Sequence, residues 1–221
     1  MSELKGKDVE FFGKITASMT HEFKNVLAII KESAGLMEDI TKIAPLSESK
    51  HQEKFDNALS TVKNQLNRGM ELSTVFNRFA HSPDKPQTEI NLKDLAERVV
   101  TLSERLARLK HITLTAAPDD KADKALNITG NPVWAQMAVY QAIECCLNQL
   151  SPECEITLTS SSIDGHKGIR IDCANVQTDA AEFCRSLENA EHWQELESVM
   201  EAVNGRAQTS EKGPGIRLLF D

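Results

Sequence analysis

Two long amphipathic stretches ahead of Pro83 restrict this chain more than any other feature of its sequence. In the first, Phe11, Ile15, Met19, Val26, Ile30, Met37 and Ile40 recur at steps of three, four or seven, which predicts one helix starting between Glu3 and Asp8 and ending near Thr41. Pro45, with Ser47 and Ser49, breaks the pattern. In the second, Phe55, Leu59, Val62, Leu66, Met70, Ser73 and Phe76 keep the same steps from His51 to Phe79, and Ser82-Pro83-Asp84-Lys85-Pro86 ends it. Two such helices joined by one loop form a hairpin that cannot bury both stripes by itself. The simplest remedy is a second copy, giving a dimeric four-helix bundle. Packing of the hairpin on the rest of the chain alone is the alternative.

The segment Ile15–Ile30 carries the residues with chemistry. Met19, Phe23, Val26, Leu27 and Ile30 belong to the apolar stripe, whereas His21, Lys24, Asn25 and Ala28 lie three or four apart on another face. A histidine with a carboxylate beside it (Glu22) and an amide one turn on (Asn25) suits chemistry at an imidazole. A lone surface histidine on an amphipathic helix would need no such neighbours.

With 40% hydrophobic and 26% charged residues in 221, the chain has the composition of one large or two small globular domains. A formal charge of -8 argues against duplex nucleic acid as a partner. The sequence offers neither a run as long as a membrane span nor the apolar core of a signal peptide, so a cytoplasmic location is expected. Its five cysteines include no Cys-x-x-Cys pair, which fits buried, reduced thiols and not a metal centre.

Beyond Pro86 the pattern changes. Asn91 caps a helix bearing Leu92, Leu95, Val99, Leu102 and Leu106 on one face. Ile112–Thr115 and Ala125–Thr129 are strand signals, and Asn131-Pro132 opens a helix from Val133 to Leu150. Glu155–Ser161 and Gly168–Cys173 alternate about Asp164-Gly165 as a hairpin. A helix follows from Trp193 to Val203, with Asn204-Gly205 as its C-cap, and then two strands, Arg206–Ser210 and Gly215–Phe220. The expected fold class is α+β: an N-terminal antiparallel helical hairpin over residues 1–83, then an α/β sandwich over 84–221 with helices on one face of a mixed sheet.

In this order the chain resembles the catalytic core of bacterial sensor histidine kinases, a dimerisation and histidine-phosphotransfer hairpin followed by a GHKL-type ATP-binding domain. His21-Glu22-Phe23-Lys24-Asn25 looks like the family's H box, and Phe76-Asn77-Arg78-Phe79 is similar to the usual end of its second helix. Val203-Asn204-Gly205-Arg206 through Ser210, with Gly213-Pro214-Gly215-Ile216-Arg217-Leu218-Leu219-Phe220, looks like its last helix and closing hairpin. The departures concern the nucleotide. Where the resemblance implies magnesium-holding asparagines, the helix from Val133 to Leu150 has residues such as Gln141, Glu144 and Cys145. Where it implies glycine-rich turns for adenine and phosphates, the chain has Asn175-Val176-Gln177-Thr178-Asp179 and Glu191-His192-Trp193-Gln194-Glu195. Glycine lets backbone amides approach phosphate, and glutamates there would repel it.

The resemblance and the departures together imply a degenerate, pseudo-catalytic second domain with ATP binding lost and no cofactor of its own. His21 is then expected to be a phosphotransfer histidine exchanging a phosphoryl group with aspartates of response-regulator receiver domains, which supply the magnesium. Glu22 would orient the ring, Lys24 would neutralise phosphoryl charge, and Asn25 would orient water if the chain dephosphorylates a receiver. A receiver phosphatase, a kinase core with residual ATP-dependent autophosphorylation and a non-enzymatic dimerising adaptor are the alternatives.

Overall fold

A computed structural model describes residues 6–43, 49–117, 126–210 and 213–220. The sequence breaks expected at Pro45 and Ser47 and the start of the strand expected at Ala125 lie outside these residues. The chain divides into two compact units, one of them Thr16–Arg78, the other formed by the described residues before Thr16 and after Arg78.

The first unit is a helical hairpin built from most of α1 (Lys7–Ile43) and α2 (Ser49–Ala80). Met19 and Val26 of α1 are buried, as are Ala58 and Leu72 of α2. A Cβ on Gly69 would stand 3.4 Å from Val26 Cγ1, so at this glycine the backbone of α2 lies against the Val26 side chain of α1. The α2 stripe expected from sequence is rotated from the buried face: Leu66 and Met70 are 52% and 69% exposed and Ser73 is exposed. Leu27 and Leu36 of α1 are exposed as well. Each helix thus carries two apolar faces, and one serves the hairpin.

The second unit has a five-stranded sheet in the order β2-β4-β5-β7-β6, where β2 is Thr113–Ala117, β4 Glu155–Ile163, β5 His166–Ala174, β6 Gly205–Thr209 and β7 Gly215–Phe220. Only β2 and β4 pair in parallel, so the sheet is mixed. Leu158, Ile171 and Ile216 stand opposite one another across three strands. Their side chains and those of Ile156, Ile169 and Leu218 are essentially inaccessible, as are Leu95 and Val99 of α3 (Leu92–Leu109), Val139 and Ile143 of α4 (Pro132–Gln149) and Leu196 and Val199 of α6 (Glu191–Ala202). The alternation read from the sequence is therefore the core face of the sheet with helices laid on it.

Local chemistry sets the boundaries. Asn91 and Asn131 cap α3 and α4, each side chain accepting from the amides two and three residues on. Asp164 and Gly165, at φ of 51° and 86°, make the tight turn between β4 and β5. Asn204, at φ 54°, takes the left-handed position after α6. Gly205, expected to share that cap, instead opens β6, where a Cβ would come within 2.5 Å of the Leu219 carbonyl oxygen. Two elements were not expected. Strand β1 (Thr88–Asn91) pairs with β3 (Asn127–Gly130) as a separate two-stranded ladder, and α5 (Ala180–Glu188) follows directly on Asp179, which caps it through the Glu182 amide.

All five cysteines are free and buried, in keeping with the sequence expectation of reduced thiols. Burial, then the charges of Glu144 and Glu195, pushes the Cys145 thiol up to about 12. A thiol raised in the folded state stabilises fully below its unfolded value near 9 and progressively less as pH climbs toward 12. At roughly 1.4 kcal/mol per unit, the ceiling on this loss is about 4 kcal/mol. Urea midpoints measured from pH 8 to 11 are expected to fall, and Cys145→Ala is expected to flatten that decline while lowering the midpoint at pH 8 through lost packing.

Candidate functional site

The candidate site is on α1 within the hairpin unit. His21, Lys24, Asn25 and Ala28 are all exposed, as the three-and-four spacing requires, while Met19 and Val26 on the other side are buried. No hydrogen bond or ion pair engages the His21 ring among the described residues, so both ring nitrogens face outward chemistry and not internal packing. Lys24 is one turn along the same exposed face.

Glu22 is placed differently from its neighbours. Successive helical residues are rotated by about 100°, which carries residue 22 from the exposed face to the hairpin interior. Its side chain is 5% exposed and its carboxylate is held from two directions: Arg68 Nη2 of α2 lies 3.0 Å from Oε2, and Asn25 Nδ2 donates to Oε1 at 3.4 Å. The sequence suggested that Glu22 would accept from the His21 ring. The structure gives it Arg68 and Asn25 instead, because a carboxylate turned inward needs a cation more than a neutral imidazole. Phe23 and Phe76 pack edge to face beside this network, 6.5 Å between ring centres. Arg68 was not singled out from sequence. The available signal was a cation immediately before Gly69, a mid-helix glycine that lies against Val26 of α1.

Of the positions at which the resemblance implied lost nucleotide chemistry, Gln141, Glu144 and Cys145 lie on α4, residues 191–195 open α6 and residues 175–179 precede α5, all in the other unit. Cys145 is wholly buried and its raised pKa keeps it a neutral thiol, a poor ligand for a hard cation. Glu144 accepts from the Tyr140 hydroxyl at 3.2 Å and stands 3.7 Å from Lys14 Nζ. Burial, then the Glu144 carboxylate, pushes the Tyr140 phenol well up. Burial alone would lower Lys14, but Glu144, Glu10 and Glu195 outweigh it and hold its ammonium above the usual range. Gln141 and Glu144 border a small cleft of about 30 Å³, room for roughly one water, which Lys7, Phe11 and Lys14 close from the first turns of α1. Phe11 packs 5.1 Å from Tyr140 and 5.5 Å from Phe79, fixing those turns to this unit. No group of three or more His, Cys, Asp and Glu side chains suited to a metal occurs among the described residues, and none of their helices is long and apolar enough to cross a membrane.

No protein-family model and no curated protein matches the chain. Solved structures it is similar to include the Acinetobacter baumannii histidine kinase AdeS, at 11% identity over 91% of this chain and 97% of that one, with a TM-score of 0.44. The histidine kinase ThkA in complex with its response regulator TrrA is similar at 15% identity over 97% of this chain and 62% of that one, with a TM-score of 0.46. The ATP-binding domain of PrrB from Mycobacterium tuberculosis is similar at 18% identity over 62% and 96%, with a TM-score of 0.43.

Proposed function

We propose that the chain is a two-component signalling protein with a kinase-like core, acting as a histidine phosphotransferase between His21 and receiver-domain aspartates. The observation that carries this is the isolation of His21: an exposed imidazole with no partner among the described residues, on a long helix, next to a carboxylate and an amide that hold each other. Neutral imidazole is a competent nucleophile near neutral pH, and an exposed helical face admits a globular partner. In transfer, a ring nitrogen forms the new bond to phosphorus as the aspartyl oxygen–phosphorus bond breaks, its electron pair returning to the carboxylate and the ring's proton passing to solvent. The receiver supplies the aspartate and the magnesium, and Lys24 adds positive charge on the approach face.

The same reading takes ATP binding to be lost. It is supported by the buried thiol of Cys145, by Glu144's engagement with Tyr140 and Lys14, and by glutamates in α6 where phosphates would need glycine. Calorimetry with magnesium and ATP at about 1 mM is expected to show no saturable heat; a fitted magnesium-dependent isotherm would favour the autophosphorylating kinase core.

A second reading, receiver phosphatase, has a specific observation in its favour. The Asn25 amide is oriented by Glu22 one turn from His21, the position from which it could direct water at a receiver's phosphoryl group. Both activities use one face, and transfer remains the primary assignment. The direct test is to mix the chain with a receiver loaded from a small acyl phosphate. Phosphoryl label on the chain, absent when ATP is the donor, is the expected result; label from ATP alone would overturn the assignment.

A further inference from the structure

We infer that Arg68 is a positioning residue that aims the Asn25 amide through Glu22, and so sets how this site divides a receiver's phosphoryl group between His21 and water. The inference deepens the phosphotransfer reading and rests on it. Its basis is a chain of three side chains across the hairpin: Arg68 Nη2 to Glu22 Oε2 at 3.0 Å, then Glu22 Oε1 to Asn25 Nδ2 at 3.4 Å.

Each link restrains the next. Glu22 is 4% exposed, and a carboxylate at that depth is held inward by the cation that faces it. Arg68 supplies that cation from α2, next in sequence to Gly69, which lies against Val26 of α1. Glu22 Oε1 accepts from the NH₂ end of the Asn25 amide and not from its carbonyl end, which can only accept. The Asn25 carbonyl oxygen is thereby the end left toward solvent, and Asn25 itself is exposed. A carbonyl is the end needed to accept a hydrogen bond from an attacking water. In that hydrolysis the water oxygen bonds to phosphorus, the aspartyl oxygen–phosphorus bond breaks with its electron pair staying on the carboxylate, and the water's proton leaves to bulk solvent with inorganic phosphate.

Transfer to His21 makes no use of this amide. Loss of Arg68 should therefore act on the partition and not on both routes alike. In a variant lacking the guanidinium, the Glu22 carboxylate loses the contact that holds it inward, and the Asn25 amide it orients is freed to rotate.

The experiment follows phosphate release and histidine labelling together, using a receiver loaded from an acyl phosphate, for the parent chain, Arg68→Met, Arg68→Lys and Asn25→Ala. Arg68→Met is expected to lower receiver-phosphate hydrolysis at least tenfold, matching Asn25→Ala, with histidine labelling within threefold of the parent. Arg68→Lys, keeping a charge at a different reach, is expected to recover part of the hydrolysis. Equal losses in both routes, or hydrolysis unchanged in Arg68→Met, would overturn the role. Should Arg68→Met fail to fold, Arg68→Lys with Glu22→Gln decides: both keep a polar partner in the hairpin, and unaltered partition in both also overturns it. A parent chain that neither takes up nor releases the receiver's phosphate defeats the phosphotransfer reading itself, a result separate from any ratio between variants.

Discussion

Replacing His21 by alanine is expected to abolish phosphoryl labelling of the chain from a loaded receiver while leaving its fold and melting temperature essentially unchanged. The imidazole is exposed and engages no partner among the described residues, so its removal breaks no internal contact. Alanine is the most favourable residue in a helix, and exposed substitutions of this kind usually shift stability by less than about 0.5 kcal/mol. The chemical loss is complete because no second imidazole shares the face: Lys24, Asn25 and Ala28 offer no equivalent nucleophile. The product on the parent chain would be a phosphoramidate, stable in base and labile in acid, which separates it from a hydroxyl phosphoester. Asn25→Ala should leave labelling largely intact and slow only phosphate release. Persistence of acid-labile label in His21→Ala would displace His21 as acceptor. Loss of the cellular effect with Asn25→Ala but not with His21→Ala would make receiver dephosphorylation the main activity.

The sequence made the hairpin and the sheet legible because both rest on periodicity. The steps of three and four in Phe11 through Ile40 needed only a helix to become a buried face, and Leu158, Ile171 and Ile216 needed only alternation. Side-chain caps were equally local: Asn91 and Asn131 bind amides two and three residues away. What the sequence hid was set by distant partners. Strand β1 has four residues and becomes a strand because β3, 36 residues on from Asn91 to Asn127, pairs with it. Helix α5 has nine residues, too few for Phe183, Cys184 and Leu187 to declare a period, so that only Asp179 and Glu182 mark its start. Within the site, the exposed face of His21, Lys24, Asn25 and Ala28 followed from helical geometry alone. The orientation of Glu22 did not, because the choice between imidazole and guanidinium depends on Arg68, 46 residues away on another helix. The rotated stripe on α2 has the same origin, since one helix with two apolar faces does not declare which of them its own hairpin uses.

Leu66→Glu is expected to convert a dimer into a folded monomer, with light scattering at micromolar concentration reporting half the mass. The prediction turns on which apolar face the hairpin leaves open. Leu27 and Leu36 on α1 and Leu66 and Met70 on α2 are each about half exposed or more, although Leu27, Leu66 and Met70 lie on the apolar stripes read from the sequence. Covering the remaining area of such side chains is worth about 1 kcal/mol each, and two-fold symmetry counts every one twice. That sum is enough for a bundle of four helices to form through these faces, the arrangement we propose for the chain in solution. A glutamate at 66 would then be placed twice in an apolar interior with no cation facing it, at a cost of several kcal/mol. Within a single hairpin the same residue is 52% exposed, and glutamate is a good helix former, so the helical circular dichroism should survive. Leu72, at 3% exposure, provides the contrast: Leu72→Glu should collapse the hairpin itself and take the helical signal with it. A parent chain that scatters as a monomer, or a Leu66→Glu chain that keeps the parent's mass, would place the open faces outside any dimer.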